Sequence, residues 1–236
     1  MYSKPVISVI VPAYNEHRLI GDTILALKAQ RFPHPYEIII VDNNSTDATA
    51  GIARRLGVRV VTQKQKGYAY AAREGIAHAR GHIIAMTDAD TAVPPDWLAR
   101  IYETFESHPH VVAAGGPYEF EEGPRALRII LHAINRINPQ LITTSLCGMN
   151  MAFRRAAYEE VGGFSSHINL QADTYLGEQI KKIGKIHFIR DNTVLSSARR
   201  FQKPKQLIAE LSIRIANALM LKFFSTTLYK KQIDYR

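Results

Sequence analysis

Apolar residues along the first half of the chain fall into short, nearly unbroken runs, and helically spaced segments alternate with them. Residues 6–11 (Val-Ile-Ser-Val-Ile-Val) form the first run and Pro12 closes it. A run rich in Ile and Val predicts a strand buried on both faces rather than a half-exposed one. The loop Pro12-Ala13-Tyr14-Asn15-Glu16 follows, and Leu19, Ile20, Thr23, Ile24 and Leu27 then give residues 19–30 helical spacing. Pro33 and Pro35 break that helix, because proline lacks the amide donor a helix needs. Residues 37–41 predict a second buried strand, 58–62 a third and 82–86 a fourth. The helix over 48–56 is expected to take Ser45 or Thr46 as N-cap and to stop at Gly57. A third helix is predicted over 68–80, and Pro94-Pro95-Asp96 starts a fourth that runs to about Phe105 with Trp97 and Leu98 facing inward.

Strands and helices in this alternation imply an α/β fold, with a Rossmann-like, mostly parallel central sheet flanked by helices. Such sheets bind ligands beyond the carboxyl ends of their strands. The polar clusters after Val11, after Val41 and after Thr87 all belong to that edge, and three clusters gathered there call for a shared reason.

Beyond a strand at 111–115 the pattern changes. Residues 116–123 look like a loop, 125–138 like an amphipathic helix, and 147–154 like a strand. Val161-Gly162-Gly163-Phe164 predicts a tight turn, and residues 169–182 begin as a loop and continue as a helix that Gly184 ends. Final strands are expected at 185–190 and from Val194. Residues 206–229 place Ile208, Leu211, Ile215, Leu219 and Phe223 at helical spacing. The expected organisation is one domain over 1–201, with halves at 1–115 and 116–201, and a basic amphipathic helical tail over 202–236.

Composition narrows the partners. The 236 residues suit one large α/β domain, or at most two small ones. The formal charge of +9 favours an anionic partner: a phosphorylated substrate, an acidic lipid surface or a nucleic acid. The single cysteine, Cys147, rules out an internal disulfide framework and fits a reducing, cytoplasmic setting; a small buried residue is its expected role. No stretch offers the roughly 18 uninterrupted apolar residues of a membrane span; the nearest, 207–228, carries Glu210, Arg214, Asn217 and Lys222. That tail is expected either to pack on protein or to lie on an anionic membrane surface.

Candidate chemistry centres on Asp88-Ala89-Asp90, directly after the fourth apolar run. If the strand continues, alternation sets both carboxylates on one side. Adjacent carboxylates repel and are stable when a cation sits between them, and an oxygen-only pair suits Mg2+ or Mn2+. The plain alternative is a solvated acidic turn. Lys64-Gln65-Lys66-Gly67 before the third helix could bring amide N–H groups and positive charge to a phosphate, or be a flexible basic loop. Asp173, near a helix N-terminus, has a capping role as its simplest account.

These pieces together resemble a family 2 glycosyltransferase of the GT-A fold. The resemblance rests on Val9-Ile10-Val11-Pro12-Ala13-Tyr14-Asn15-Glu16, Ile40-Val41-Asp42-Asn43-Asn44-Ser45-Thr46-Asp47, Lys66-Gly67 with Ala72-Arg73-Glu74-Gly75, and Asp88-Ala89-Asp90. Gly148-Met149-Asn150-Met151-Ala152-Phe153-Arg154, Gly162-Gly163-Phe164 and Asp173-Thr174-Tyr175-Leu176-Gly177 complete it in order, over roughly residues 5–200. The resemblance implies transfer of a sugar from a UDP- or GDP-sugar, with inversion, to a glycan or lipid-linked acceptor, and no nucleic-acid partner. It implies Tyr14 packed on the base and Asp42 hydrogen-bonded to it, with Pro12, Glu16 and Asn44 shaping the pocket. Lys66, Gly67, Arg73 and Asp88 fall on the nucleotide side, Asp90 with Asp88 on the metal, and Asp173 becomes the general base. Asn150, Arg199 and Arg200 are assigned to the acceptor or the diphosphate.

Two positions depart from the family pattern: Asn43 stands where a second acid is usual, and Ala172 precedes Asp173 where Glu is usual. The Gln-x-x-Arg-Trp signature of processive synthases is absent, so single-sugar transfer is expected. A sugar-nucleotide nucleotidyltransferase would need a Gly-rich, Arg-bearing loop where Pro12-Ala13-Tyr14-Asn15-Glu16 stands. A basic binding module for lipid or nucleic acid gives no reason for Asp42, Asp88, Asp90 and Asp173 to coexist.

Overall fold

Ile7–Ala13 forms the first strand, β1, and its side chains divide between two apolar layers as strand alternation requires. Ile7, Val9 and Val11 enter one core and Ile10 the other. β4 (Ile83–Met86) repeats the division, with Ile83 and Ala85 on one side and Ile84 and Met86 on the other. Burial on both faces is why these runs are continuous rather than alternating. The computed structural model describes residues 4–123, 146–168 and 170–199, with single positions at 125, 128, 129, 132, 212, 216 and 220. The helices expected over 125–138 and 206–229 lie outside the described residues apart from those single positions, as does Arg200. No helix among the described residues is long and apolar enough to cross a membrane.

In chain order the first half is β1, α1 (Ile20–Lys28), β2 (Tyr36–Asp42), α2 (Thr49–Arg55), β3 (Arg59–Thr62), α3 (Tyr68–His78), β4, β5 (Thr91–Ala92) and α4 (Trp97–Ser107). The rest is β6 (Val111–Gly115), β7 (Tyr118–Phe120), β8 (Met151–Arg154), α5 (Arg155–Glu160), α6 (Ala172–Ile180), β9 (Lys185–Phe188) and β10 (Val194–Ser196). The main sheet has seven strands in the order β3-β2-β1-β4-β8-β6-β9. Its pairs are parallel except where β8 runs antiparallel to β4 and β6. A smaller sheet, β5-β10-β7, stands beside it.

α3 lies close against β1 and β2. A Cβ at Gly75 would fall 2.4 Å from Ile10 Cγ2 and 2.7 Å from Val41 Cγ2, so glycine is what lets the helix approach. On the other face Trp97, Leu98, Ile101 and Phe105 seat α4 in the first core, with Trp97 and Leu98 inward as expected.

Four local expectations change. Residues 116–123 contain β7, because Tyr118–Phe120 pairs with β10, a partner far along the chain. Only Met151–Arg154 of the stretch 147–154 is strand, and α5 follows it at once. Neither Ser45 nor Thr46 caps α2: Ser45 Oγ accepts from Asn15 N at 3.0 Å, and Asp47 Oδ1 takes the Thr49 amide at 2.9 Å. Finally, β4 ends at Met86, so Asp88 and Asp90 lie in the turn towards β5 and strand alternation does not orient them.

Candidate active site

The loops after β1 and β2 are joined side by side at the carboxyl edge of the sheet. Asn15 Oδ1 accepts the Thr46 amide at 2.9 Å, Thr49 Oγ1 accepts the Glu16 amide at 2.7 Å, and Asp47 Oδ2 accepts the His17 amide at 3.2 Å. Asn15 and Asn44 take left-handed backbone (φ 54° and 66°), a conformation asparagine tolerates better than most residues. Asp47 also meets His17 Nδ1 at 2.7 Å. Partial burial works against its charge, but the Thr49 and His17 hydrogen bonds outweigh burial and hold the carboxyl at about 2.

Asp42 closes β2 almost fully buried, and its Oδ1 has no hydrogen-bond partner among the described residues. Beside it, Asn43 uses its whole amide. Nδ2 donates to the carbonyls of Gln63 (3.0 Å) and Gln65 (2.7 Å), and Oδ1 accepts the Gly67 amide at 2.7 Å. The Gly67 N–H is therefore committed to the loop rather than offered to a phosphate. The clamp fixes residues 63–67 so that Lys66 reaches Tyr14, with Nζ 2.6 Å from the hydroxyl and 4.3 Å from the ring centroid. Pro12 pairs with Val41 at the start of the same cleft.

Asp90 is held by the segment that follows β10. Asp90 Oδ2 accepts from Arg199 at 3.1 Å, Asp90 Oδ1 lies 3.5 Å from Ser196 Oγ, and its carbonyl takes the Ser197 amide. The same guanidinium nitrogen of Arg199 pairs with Glu16, whose side chain is 3% exposed. Burial works against the Arg199 charge, yet Glu16, then Asp90, more than offset it and raise the guanidinium further. Arg199 Nε is buried with no partner among the described residues. Arg199 is thus a charge-neutralising bridge between the β1 loop and the acidic turn, not a solvated basic residue.

Asp173, in the first turn of α6, accepts the Thr174 amide on Oδ1 and the Gly148 amide on Oδ2, both at 2.8 Å. The two amides fix the orientation of its carboxylate. Gly148 has room for no side chain: a Cβ there would stand 2.4 Å from the Tyr68 hydroxyl. Tyr68 opens α3, its ring edge-on to Phe164 at 6.0 Å. Burial, and then the charges of Asp173, Asp88 and Cys147, push its ionisation well above the ordinary tyrosine range.

Two further residues assigned from the resemblance have surroundings of their own. Asn150 is 2% exposed, accepts from Trp97 Nε1 at 2.8 Å, and donates to the carbonyls of Pro117 and Asn192 at 2.9 and 2.7 Å. Its amide holds β8 to α4 and the β9–β10 loop. Arg73 is exposed on α3, where its charge acts on Tyr158. Asn43 and Tyr68 carry more of the site than their sequence contexts suggested. Asn43 was visible only as a departure from a pattern, and a tyrosine opening a helix resembles any core aromatic.

Residues 8–162 match the family described as Glycosyl transferase family 2. Glycosyltransferase AglE of Haloferax volcanii is 29% identical over 209 residues, which is 84% of this chain and 68% of that protein. The glucosyl-dolichyl phosphate glucuronosyltransferase of the same organism is 24% identical over 72% of this chain and 59% of its own length. Among solved structures, the mannosyltransferase PcManGT from Pyrobaculum calidifontis, in complex with GDP-Man and Mn2+, superposes with a TM-score of 0.72 at 26% identity. The match covers 93% of this chain and 63% of that one. Glucosyl-3-phosphoglycerate synthase from Mycobacterium tuberculosis shares the fold at a TM-score of 0.68, with 20% identity over 92% of this chain and 79% of its own. The chain thus spans roughly three fifths to four fifths of the length of these proteins. By its sequence match, and with an α/β architecture shared with GT-A enzymes, the chain belongs to glycosyl transferase family 2.

Proposed function

We propose that this glycosyltransferase moves a single sugar, with inversion, from a nucleoside diphosphate donor to a hydroxyl acceptor. The observation that carries the reading is the buried, unpartnered Oδ1 of Asp42 beside the Lys66–Tyr14 pair. A buried acceptor without a donor is costly, and the N–H edge of a nucleobase supplies one where Tyr14 offers a ring to stack on. A mannosyltransferase of similar fold is in complex with GDP-Man and Mn2+, which supports a nucleotide-sugar donor.

Mg2+ or Mn2+ fits the oxygen-only pair Asp88 and Asp90, and when bound it supplies positive charge against the leaving diphosphate. Arg199 shields Asp90 meanwhile, and its guanidinium suits a diphosphate once that contact is relinquished. Asp173 takes the proton from the acceptor hydroxyl. Each of its oxygens accepts one amide N–H in the described contacts, which leaves each a second lone pair for that proton. Inversion requires base and leaving group on opposite faces of the anomeric carbon, and Asp173 comes from an element remote in sequence from Asp88 and Asp90. For the acceptor, the +9 charge and the polyprenyl-type phosphate in the name of one relative support a lipid-linked acceptor, met at the cytoplasmic membrane face with the basic tail as contact.

Asp173→Asn tests the assignment. Donor binding is expected to persist, while release of nucleoside diphosphate in the presence of acceptor falls at least about 100-fold, the scale of a lost general base. Turnover near wild type would remove Asp173 as the base.

A further inference from the structure

The Tyr68 hydroxyl is buried and has no hydrogen-bond partner among the described residues. Native folds rarely leave a buried O–H unpaired, and a phenylalanine would fill the same space without the penalty. The surroundings make the omission pointed. The hydroxyl fills the place that a side chain at Gly148 would take, and the Gly148 amide holds Asp173 Oδ2 at 2.8 Å. Asp88 and Asp173 both act on it, although they lie on opposite sides of the proposed reaction. Its position is also fixed from below. Gly67, directly before Tyr68, is anchored to Asn43, and the Tyr68 ring rests edge-on against Phe164.

In an inverting transfer the sugar ring lies between the diphosphate, held on the Asp88 side, and the base Asp173. A hydroxyl packed against Gly148, whose amide holds the base Asp173, and reached by the charge of Asp88, borders the space for the sugar. From this juxtaposition we propose that Tyr68 is a sugar-binding residue, whose O–H donates to a hydroxyl oxygen of the transferred sugar once the glycine-only cover at Gly148 shifts aside. The inference rests on the nucleotide-sugar reading above. It adds to that reading a residue outside the nucleotide, metal and base set, and one that senses the sugar rather than the nucleotide. The O–H stays protonated across the working pH range, so it serves as a donor throughout.

Isothermal titration of the full chain and of its Tyr68→Phe variant, both with Mn2+, tests this against three sugar nucleotides and their parent diphosphates. The probes are GDP-mannose with GDP, and UDP-glucose and UDP-N-acetylglucosamine with UDP. For the donor that the wild type binds, Tyr68→Phe is expected to weaken the sugar nucleotide about 10-fold, one lost hydrogen bond's worth, and to leave the parent diphosphate nearly unchanged. The melting temperature of the variant is expected to stay level or rise, since an unpaired donor has been removed. Equal effects on sugar nucleotide and diphosphate, no effect on either, or a lower melting temperature with unchanged binding would each overturn the Tyr68 assignment alone. A wild type that binds none of the probes overturns both this assignment and the nucleotide-sugar reading.

Discussion

Asn43 shows how one atom changes a site. Its two N–H bonds and one acceptor match two carbonyls and one amide from residues 63–67, a match that aspartate cannot make. A carboxylate there would face the Gln63 and Gln65 carbonyl oxygens with no proton to offer. Asn43→Asp is therefore expected to cost about 2 kcal/mol in denaturant unfolding, the scale of buried polar groups left unpaired. It should also weaken nucleotide binding, because the loop that brings Lys66 to Tyr14 is released. Unchanged stability and affinity would show that the clamp is not what holds the loop. Asp42 entered through the family resemblance, and the structure places it, almost fully buried, at the end of β2. The task of Asn43 was not legible, because its partners lie 20 to 24 residues away and only the folded loop brings them in.

At the scale of elements, the β1 and β2 loops are fastened through Asp47, which accepts the Thr49 amide at the start of α2 and holds His17. Its carboxyl is held at about 2 in the folded chain, below the ordinary carboxylate range near ~3.9. A depressed carboxylate stabilises the fold in full above its unfolded pKa, and that contribution is lost as pH falls through the folded value. The melting temperature should therefore drop between about pH 4 and pH 2, and Asp47→Asn, which has no charge to lose, should lower the plateau and flatten that limb. An acid limb identical in the two proteins would contradict the role of Asp47. The major strands and helices were readable because burial on both faces writes continuous apolar runs, as in Ile7–Ala13 and Ile83–Met86. The expected cap did not form because Asn15, on another loop, engages Ser45 and Thr46. β5 and β7 escaped notice because they are two and three residues long and exist by pairing with the distant β10.

At the scale of the molecule, the sheet edge gathers what the chain scatters. Asp42 ends β2, Asp88 and Asp90 follow β4, Asp173 opens α6, and Arg199 returns after β10 to neutralise Glu16 and Asp90. The alternation of elements and the order of the motifs made this edge legible from sequence. The antiparallel insertion of β8 between β4 and β6 was not legible, because strand direction is set by the path of the chain and not by any residue in the strand. The central claim is that this edge binds a nucleoside diphosphate sugar together with a divalent cation. The most direct test is the melting temperature of the full chain with GDP-mannose, UDP-glucose or UDP-N-acetylglucosamine, each in Mn2+ and each in EDTA. A donor at about 100 times its dissociation constant stabilises the fold by about 2.7 kcal/mol. A clear upward shift with one donor class in Mn2+ that largely disappears in EDTA is expected. No shift with any donor, or a shift of equal size in EDTA, would contradict the central claim.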